Sequence, residues 1–236
     1  MNPKTPPLGW NTWNTFGEKI DNEVPVRNVL VSLFDKTGLE PFVKGLLETC
    51  PGVRFFSTGG TYKALAAALG DAAKDRLVQV SDYTGQPEMQ GGLVKTLDFK
   101  IYLGLLGEHY NDAHQADLAR TGAVEIDMVV GNLYPFQKVA AQPGVSPEDC
   151  RSNIDIGGPC MIRASAKNFI RVASVTDTAD YPALLAELRA TGGRLSLATR
   201  FRLMKKAFAH TAAYDAAIAA HFGAIDALDG VYGFAD

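Results

Sequence analysis

Short, unbroken runs of apolar and β-branched residues recur along this chain, each followed by a stretch with helical spacing, and this alternation limits its fold more than any other feature. The runs are NVLVSLF (Asn28 to Phe34), VRFFS (Val53 to Ser57), RLVQVS, IDMVVGNLY and IRVASV (Ile170 to Val175). A run that is apolar throughout, without polar alternation, reads as a strand buried on both faces, which is the habit of parallel sheets. Between the runs, Leu39, Phe42, Val43, Leu46 and Leu47 form one apolar helical stripe. TYKALAAALG reads as an Ala-rich helix stopped at Gly70, and Asn111 to Arg120 as a helix ending at Thr121-Gly122. Asp180-Tyr181-Pro182 opens a helix carrying Leu184, Leu185 and Leu188, and a long C-terminal helix follows from about Ser196 with Leu197, Phe201, Met204 and Phe208 in phase. The pattern predicts an α/β fold: a doubly wound, mostly parallel sheet flanked by helices, with a C-terminal helix. Such sheets take ligands beyond the carboxyl ends of their strands, so that is where chemistry is expected.

Composition narrows the function. With 47% hydrophobic and 21% charged residues in 236, the chain is neither a disordered tail nor a fibrous repeat. A net charge of −3 supplies no basic surplus for nucleic acid or an acidic membrane, so any phosphate is held locally. Cys50, Cys150 and Cys160 have neither disulfide nor zinc-ligand spacing and are expected to be buried, reduced thiols. No apolar run reaches the ~18 residues of a membrane span, and the N-terminus lacks a secretory apolar region, so a cytoplasmic protein is expected. Residues 1–26, rich in Pro, Asn, Gly and Trp, read as an irregular N-terminal extension, and residues 27–236 as the α/β domain. Within the extension, TPPLGWNTWNTFG resembles the opening of α-galactosidase-type glycoside hydrolases. A (β/α)₈ barrel needs about 250 residues and eight strand–helix repeats, so the likeness is expected to mark a leader, or a clamp through Trp10 and Trp13, and not a glycosidase.

Three strand ends and one helix start carry polar residues. Ser57-Thr58-Gly59-Gly60-Thr61 joins a strand to a helix, with glycines for close backbone approach and N–H groups at the helix start, as a phosphate cradle requires. Neither the Walker spacing nor G-x-G-x-x-G is present, which disfavours an ATPase or a dinucleotide enzyme. Asp35-Lys36-Thr37-Gly38 follows the first strand and brings Lys36 beside that cradle. Asn132-Leu133-Tyr134-Pro135 ends a third strand and presents an amide and a phenol, and Asn153-Ile154-Asp155-Ile156-Gly157-Gly158 precedes a helix that Asp155 could cap. Lys167 lies twelve residues beyond Asp155, about three helical turns, which would let both face one side of a helix.

Together these motifs, DKTG, STGGT, SDYTGQPEM, VKTL, NLYPF, IDIGGP, RASAKN and AFAHTAAYD, resemble the IMP cyclohydrolase domain at the N-terminus of the bifunctional purine-biosynthesis enzyme, in order from about Val29 to Phe222. The resemblance implies a methylglyoxal-synthase-like fold and closure of 5-formamidoimidazole-4-carboxamide ribotide (FAICAR) to IMP and water, chemistry that requires no metal and no cofactor. The chain ends before that enzyme's transformylase part, so a stand-alone cyclohydrolase is expected. By the same resemblance, phosphate and ribose contacts fall on Lys36, Thr58, Gly59, Gly60 and Thr61, and nucleotide positioning on Lys95, Thr96, Asn132, Asp155, Ile156 and Gly157. The implied catalytic set is Lys95, Tyr134, Asp155 and Lys167: Asp155 accepting an amide proton, Lys167 protonating the departing oxygen, and Lys95 hydrogen-bonded to Tyr134. The expected partner is a small-molecule nucleotide, and the alanines of the last helix leave room for a homodimer.

Departures from the family pattern cluster in a few places. Phe34 stands where a serine is usual, Leu93 where an arginine is usual, and Asp98 and Tyr102 where histidines are usual. Two other readings follow from the same fold: a purine-nucleotide or phosphate-effector binding domain without turnover, and a methylglyoxal synthase, whose aspartate-bearing loop is not recognised here.

Overall fold

The structure, a computed structural model, describes residues 22–87, 95–226 and 231. Its centre is a five-stranded parallel sheet of β2 (Asn28–Ser32), β3 (Arg54–Ser57), β4 (Leu77–Gln79), β5 (Met128–Gly131) and β6 (Ala173–Val175), in the order β4-β3-β2-β5-β6. The chain therefore starts in the middle, moves outward through β3 and β4, and returns to the other side of β2 with β5. The crevice where the direction of winding reverses lies above the ends of β2 and β5.

Alternation along the strands explains why the runs are apolar throughout. Val29 and Val31, Phe55, Met128 and Val130, and Ala173 and Val175 enter one core layer, beneath helices α1 (Leu39–Thr49), α2 (Gly59–Leu69) and, further along the chain, Tyr181–Thr191. Their neighbours Leu30, Phe56, Val129 and Val172 enter a second layer on the opposite face. Successive side chains point to opposite faces and both faces are covered, so the strands are apolar almost throughout, and the buried Ser57 and Ser174 hydroxyls are hydrogen-bonded to the Val31 carbonyl and to Ser165.

Short helices α3 (Ala73–Arg76) and α4 (Val80–Thr84) flank β4; α5 (Phe99–Leu106) and α6 (Asp112–Thr121) then lead to β5. After β5 come α7 (Phe136–Ala140), α8 (Pro147–Ser152) and α9 (Gly157–Lys167), then β6, α10 (Tyr181–Thr191), and α11 (Leu197–Gly223). The helix starts and stops match the sequence signals closely: Gly70 and Gly122 end α2 and α6, Asn111 caps α6, and Ser196 caps α11. A third apolar cluster joins Leu133, Phe136, Cys150, Ile162, Ala166, Ala207 and Tyr214, locking α11 against α7 and α9.

Three expectations change. Residues 23–26 are not irregular: β1 (Glu23–Pro25) pairs antiparallel with β7 (Arg194–Ser196), burying Val24, Val26 and Leu195. Trp10 and Trp13 lie outside the described residues. The buried stripe of α11 runs through Leu203, Ala207, Thr211 and Tyr214, while Phe201 is exposed beside Phe169 with the Lys205 ammonium over its ring. Cys50 and Cys150 are buried free thiols, but Cys160 is exposed.

Buried charge is used to hold backbone. Arg171, only 2% exposed, donates to the carbonyls of Gly104, Leu105, Gly107 and Ile126 and lies 3.6 Å from Asp127. A cation at the C-terminus of α5 meets the negative end of that helix and satisfies its last carbonyls.

Candidate active site

A cleft of about 420 Å³ opens at the carboxyl ends of β2, β3 and β5. It is lined by the loop after β2, the start of α2, residues 95–97, the loop after β5 and the segment from Ser152 to Gly158. Each wall follows from local chemistry.

α2 begins at Thr58, whose backbone is extended and whose hydroxyl makes no capping bond, so the first N–H groups of the helix carry no side-chain cap. Gly59 has φ +51, a left-handed conformation that favours glycine. A methyl group on Gly59 would lie 3.3 Å from Lys95 Nζ, and one on Gly157 would lie 3.3 Å from Thr96 Oγ1. The Lys95–Thr96 pair thus spans the starts of α2 and α9 and puts an ammonium over the glycine turn.

Two predicted contact residues serve the scaffold. The Thr61 hydroxyl donates to the Leu33 carbonyl at 3.0 Å and accepts from the Leu33 N–H at 3.1 Å, tying α2 to the end of β2. Asn132 Oδ1 accepts from the N–H groups of Phe34 (2.7 Å) and Asp35 (3.1 Å), and its Nδ2 donates to the Asp35 carbonyl (2.8 Å). Asn132 therefore shapes the loop that carries Lys36. Lys36 Nζ donates to the Phe34 carbonyl at 3.2 Å and remains on the cleft wall.

Asp155 sits just before α9 and accepts from the Gly158 N–H at 2.9 Å, so it does cap that helix. Gly158 has no room for a side chain: a methyl group there would come within 2.5 Å of Asp155 Oδ2 and 2.7 Å of Leu133 Cδ2. Burial pushes the Asp155 carboxyl above the usual range, against the opposing pull of the Gly158 and Tyr134 N–H groups. The Asp155 N–H donates to the Tyr214 hydroxyl at 2.8 Å, and that hydroxyl lies 3.4 Å from the Asn153 carbonyl. Tyr214, buried on α11, was not among the sequence-predicted site residues; the AFAHTAAYD motif contains it, but only the packing of α11 against α9 reveals its role.

The cleft brings together Lys36, Thr58, Gly60, Thr61, Lys95, Thr96, Asn132, Tyr134, Asp155, Ile156 and Gly157, with Gly59 at its Lys95 contact. It does not bring Lys167. That lysine ends α9, about 15 Å along the axis from Gly157 at the rise of an α-helix, and is exposed. Asp155 precedes the helix, so the helix carries Lys167 away from it; the expected pairing is corrected on this point. The expected link from Lys95 to Tyr134 is likewise replaced, since Lys95 Nζ lies against Gly59.

Two departures from the family pattern are absorbed by α5. Asp98 caps it, accepting from the Lys100 N–H at 2.8 Å, and Tyr102 packs on the second core layer beside Cys160. Neither lines the cleft. Leu93 lies outside the described residues. Among those residues no group of three or more His, Cys, Asp or Glu side chains is placed to hold a metal ion, and no helix is long and apolar enough to cross a membrane.

Sheet order and cleft together define a doubly wound α/β domain with a glycine turn at its switch point. The chain belongs to the MGS-like domain family, whose model matches residues 38–160, and residues 165–232 match the model of the AICARFT/IMPCHase bienzyme. It is 48% identical over 207 residues to the bifunctional purine biosynthesis protein PurH of Neisseria gonorrhoeae, covering 87% of this chain and 38% of that protein. To the PurH of Chlorobium luteolum it is 50% identical over 194 residues, covering 82% of this chain and 36% of the other. The chain thus spans well under half the length of these curated relatives. The crystal structure of ForH superposes with a TM-score of 0.72 at 34% identity, covering 84% of this chain and 97% of that one.

Proposed function

We propose that this chain is an IMP cyclohydrolase, closing FAICAR to IMP and water. The carrying observation is the convergence of a carboxylate and an ammonium, Asp155 and Lys95, on one cleft that also holds the glycine-turn cradle. The similarity to PurH proteins over most of the chain supports the same reading.

In this reading the phosphate lies at Thr58, Gly59, Gly60 and Thr61, on the uncapped N–H groups of α2, with Lys36 and Lys95 as counter-charges. Thr96, Ile156 and Gly157 line the space for the rest of the nucleotide, and Asn132 keeps the Lys36 loop in place. Holding the carboxamide nitrogen against the formyl carbon of the same molecule supplies much of the acceleration. As the new C–N bond forms, Asp155 takes a proton from the carboxamide nitrogen; its raised proton affinity suits it to the work. Lys95 stabilises the developing oxyanion and protonates it to a hydroxyl. The proton held by Asp155 then lets that hydroxyl leave as water, while the formamide nitrogen gives up its own proton, which restores Lys95, as the ring C=N bond forms. Tyr134 bounds the mouth with its half-exposed phenol, while its N–H holds the Asp155 carboxylate. Lys167 has no part in this scheme. With the reading go a nucleotide substrate, a cytoplasmic location and, from the exposed Ala209, Ala212, Ala213 and Ala216 on α11, a homodimer.

Addition of FAICAR to the purified chain is expected to give IMP, followed by ultraviolet absorbance and chromatography. IMP binding by calorimetry with no IMP formed from FAICAR would replace catalysis by the effector-binding reading, which the remote position of Lys167 would then favour.

A further inference from the structure

Seven large apolar side chains stand exposed among the described residues, and four of them, Phe34, Leu97, Tyr134 and Ile156, line the cleft. Apolar surface gathered at a concave site is a place where a ligand covers it. The cleft wall therefore combines two chemistries, ammonium groups and hydroxyls with aromatic and branched aliphatic surface, and Lys36 and Phe34 meet on the same loop.

Phe34 is the informative member of this group. It is 50% exposed although it follows a buried strand, and its backbone is fixed on both sides, the N–H by Asn132 Oδ1 at 2.7 Å and the carbonyl by Lys36 Nζ at 3.2 Å. Its ring meets Tyr134 edge-on, with centroids 5.6 Å apart and an interplanar angle of 63°. The ring thus stands on an anchored stretch of backbone with Tyr134 beside it, which lowers the cost of ordering it against a ligand. The serine usual at this position offers no such surface.

We propose that Phe34 is a specificity-determining residue that stacks on the heteroaromatic ring of a nucleoside monophosphate while the phosphate occupies the glycine turn. The inference rests on the nucleotide reading above and adds the source of discrimination: Phe34 separates ligands that carry a base from sugar phosphates that share only the phosphate end. It assigns to one side chain a term that every purine or imidazole ribotide gains and ribose 5-phosphate does not.

Isothermal titration of the full chain with IMP and with ribose 5-phosphate tests it. Phe34→Ser is expected to weaken IMP about tenfold, within the range of base stacking on an aromatic side chain, and to leave ribose 5-phosphate within about twofold. Phe34→Tyr, which keeps the ring, is expected to restore IMP binding, and Phe34→Leu, apolar but without a π face, to restore only a minor part. Equal weakening of both ligands, or no change in either, would overturn the role of Phe34 and leave the cyclohydrolase reading standing. Wild-type chain that binds ribose 5-phosphate but not IMP would overturn both.

Discussion

Helix N-termini are finished in two ways in this molecule. At four helices a side chain does it: Asp98 caps α5, Asn111 caps α6 with bonds from two N–H groups, Ser146 caps α8 and Ser196 caps α11. At the cleft, α2 starts at Thr58 with no side-chain cap, and α9 has its Gly158 N–H held by Asp155, a residue that also faces the cavity. A missing cap forgoes about 1 kcal/mol of helix stability. The difference teaches that donors left unpaired at α2 are available to an anion, and that the carboxylate at α9 is fixed by the helix it begins. α1 and α10 also start without a side-chain cap, so what sets α2 apart is that its uncapped start lies on the cleft wall.

The sharpest way to break this contrast is Asp155→Asn. It leaves a group that still accepts from Gly158 but takes no proton at neutral pH, so turnover of FAICAR is expected to fall at least about a hundredfold, the usual loss of a general base. In the proposed role Asp155 acts as the ionised carboxylate, and burial raises its pKa. The acid limb of kcat/KM is therefore expected above the ordinary carboxylate range, with activity lost as pH falls through it. The folded protein also holds this proton more tightly than the unfolded chain does. Asp155 thus lowers stability as pH rises through the same window, a slope that thermal melts of Asp155→Asn should lack.

Next in size is Tyr214→Phe. It removes the acceptor of the Asp155 N–H and leaves a partly buried donor unpaired, which costs about 1–3 kcal/mol in holding the loop before α9. About a tenfold loss of kcat is expected, with KM changed little because the cradle at Gly59 and the Lys36 loop are untouched. A displaced acid limb in the pH profile would mark the effect as a shift of Asp155. An unchanged kcat would show that the loop keeps its place without α11.

What the sequence discloses is what depends on local periodicity. The central strands are legible because both faces of each are buried, and α2, α6 and α11 because Gly70, Gly122 and Ser196 stop or start them within the chain's own neighbourhood. β1 is not, since three residues ending in Pro25 become a strand only by pairing with Arg194–Ser196, far along the chain. The phase of α11 is misjudged because apolar size alone favours Phe201, whereas Ala207 and Thr211 provide the close approach that decides which side is buried. In the site, the residue types are legible and their employment is not. Thr61 and Asn132 look like ligand contacts, yet their hydrogen bonds run to Leu33, Phe34 and Asp35 across neighbouring strands. Lys167 lies apart for a geometric reason, as ten helical residues separate two groups that a count of turns places on one face.

The smallest effects give the cleanest comparison between the two kinds of helix start. Asn111→Ala and Ser196→Ala each remove a cap and are expected to cost about 1 kcal/mol, a fall in Tm of about 2–4 °C for a chain of this size, with kcat and KM unchanged. Thr58→Ala removes a hydroxyl that caps nothing, so Tm is expected to move by less than about 1 °C, within the usual range for a substitution that breaks no bond. Its effect should fall on ligand affinity, a loss of a few-fold in IMP binding from one hydrogen bond at the phosphate. Calorimetry and thermal melts on the three variants separate the cases. If Thr58→Ala lowers Tm as the cap variants do, its side chain supports the helix, and the start of α2 is then an ordinary capped terminus with no donors held in reserve.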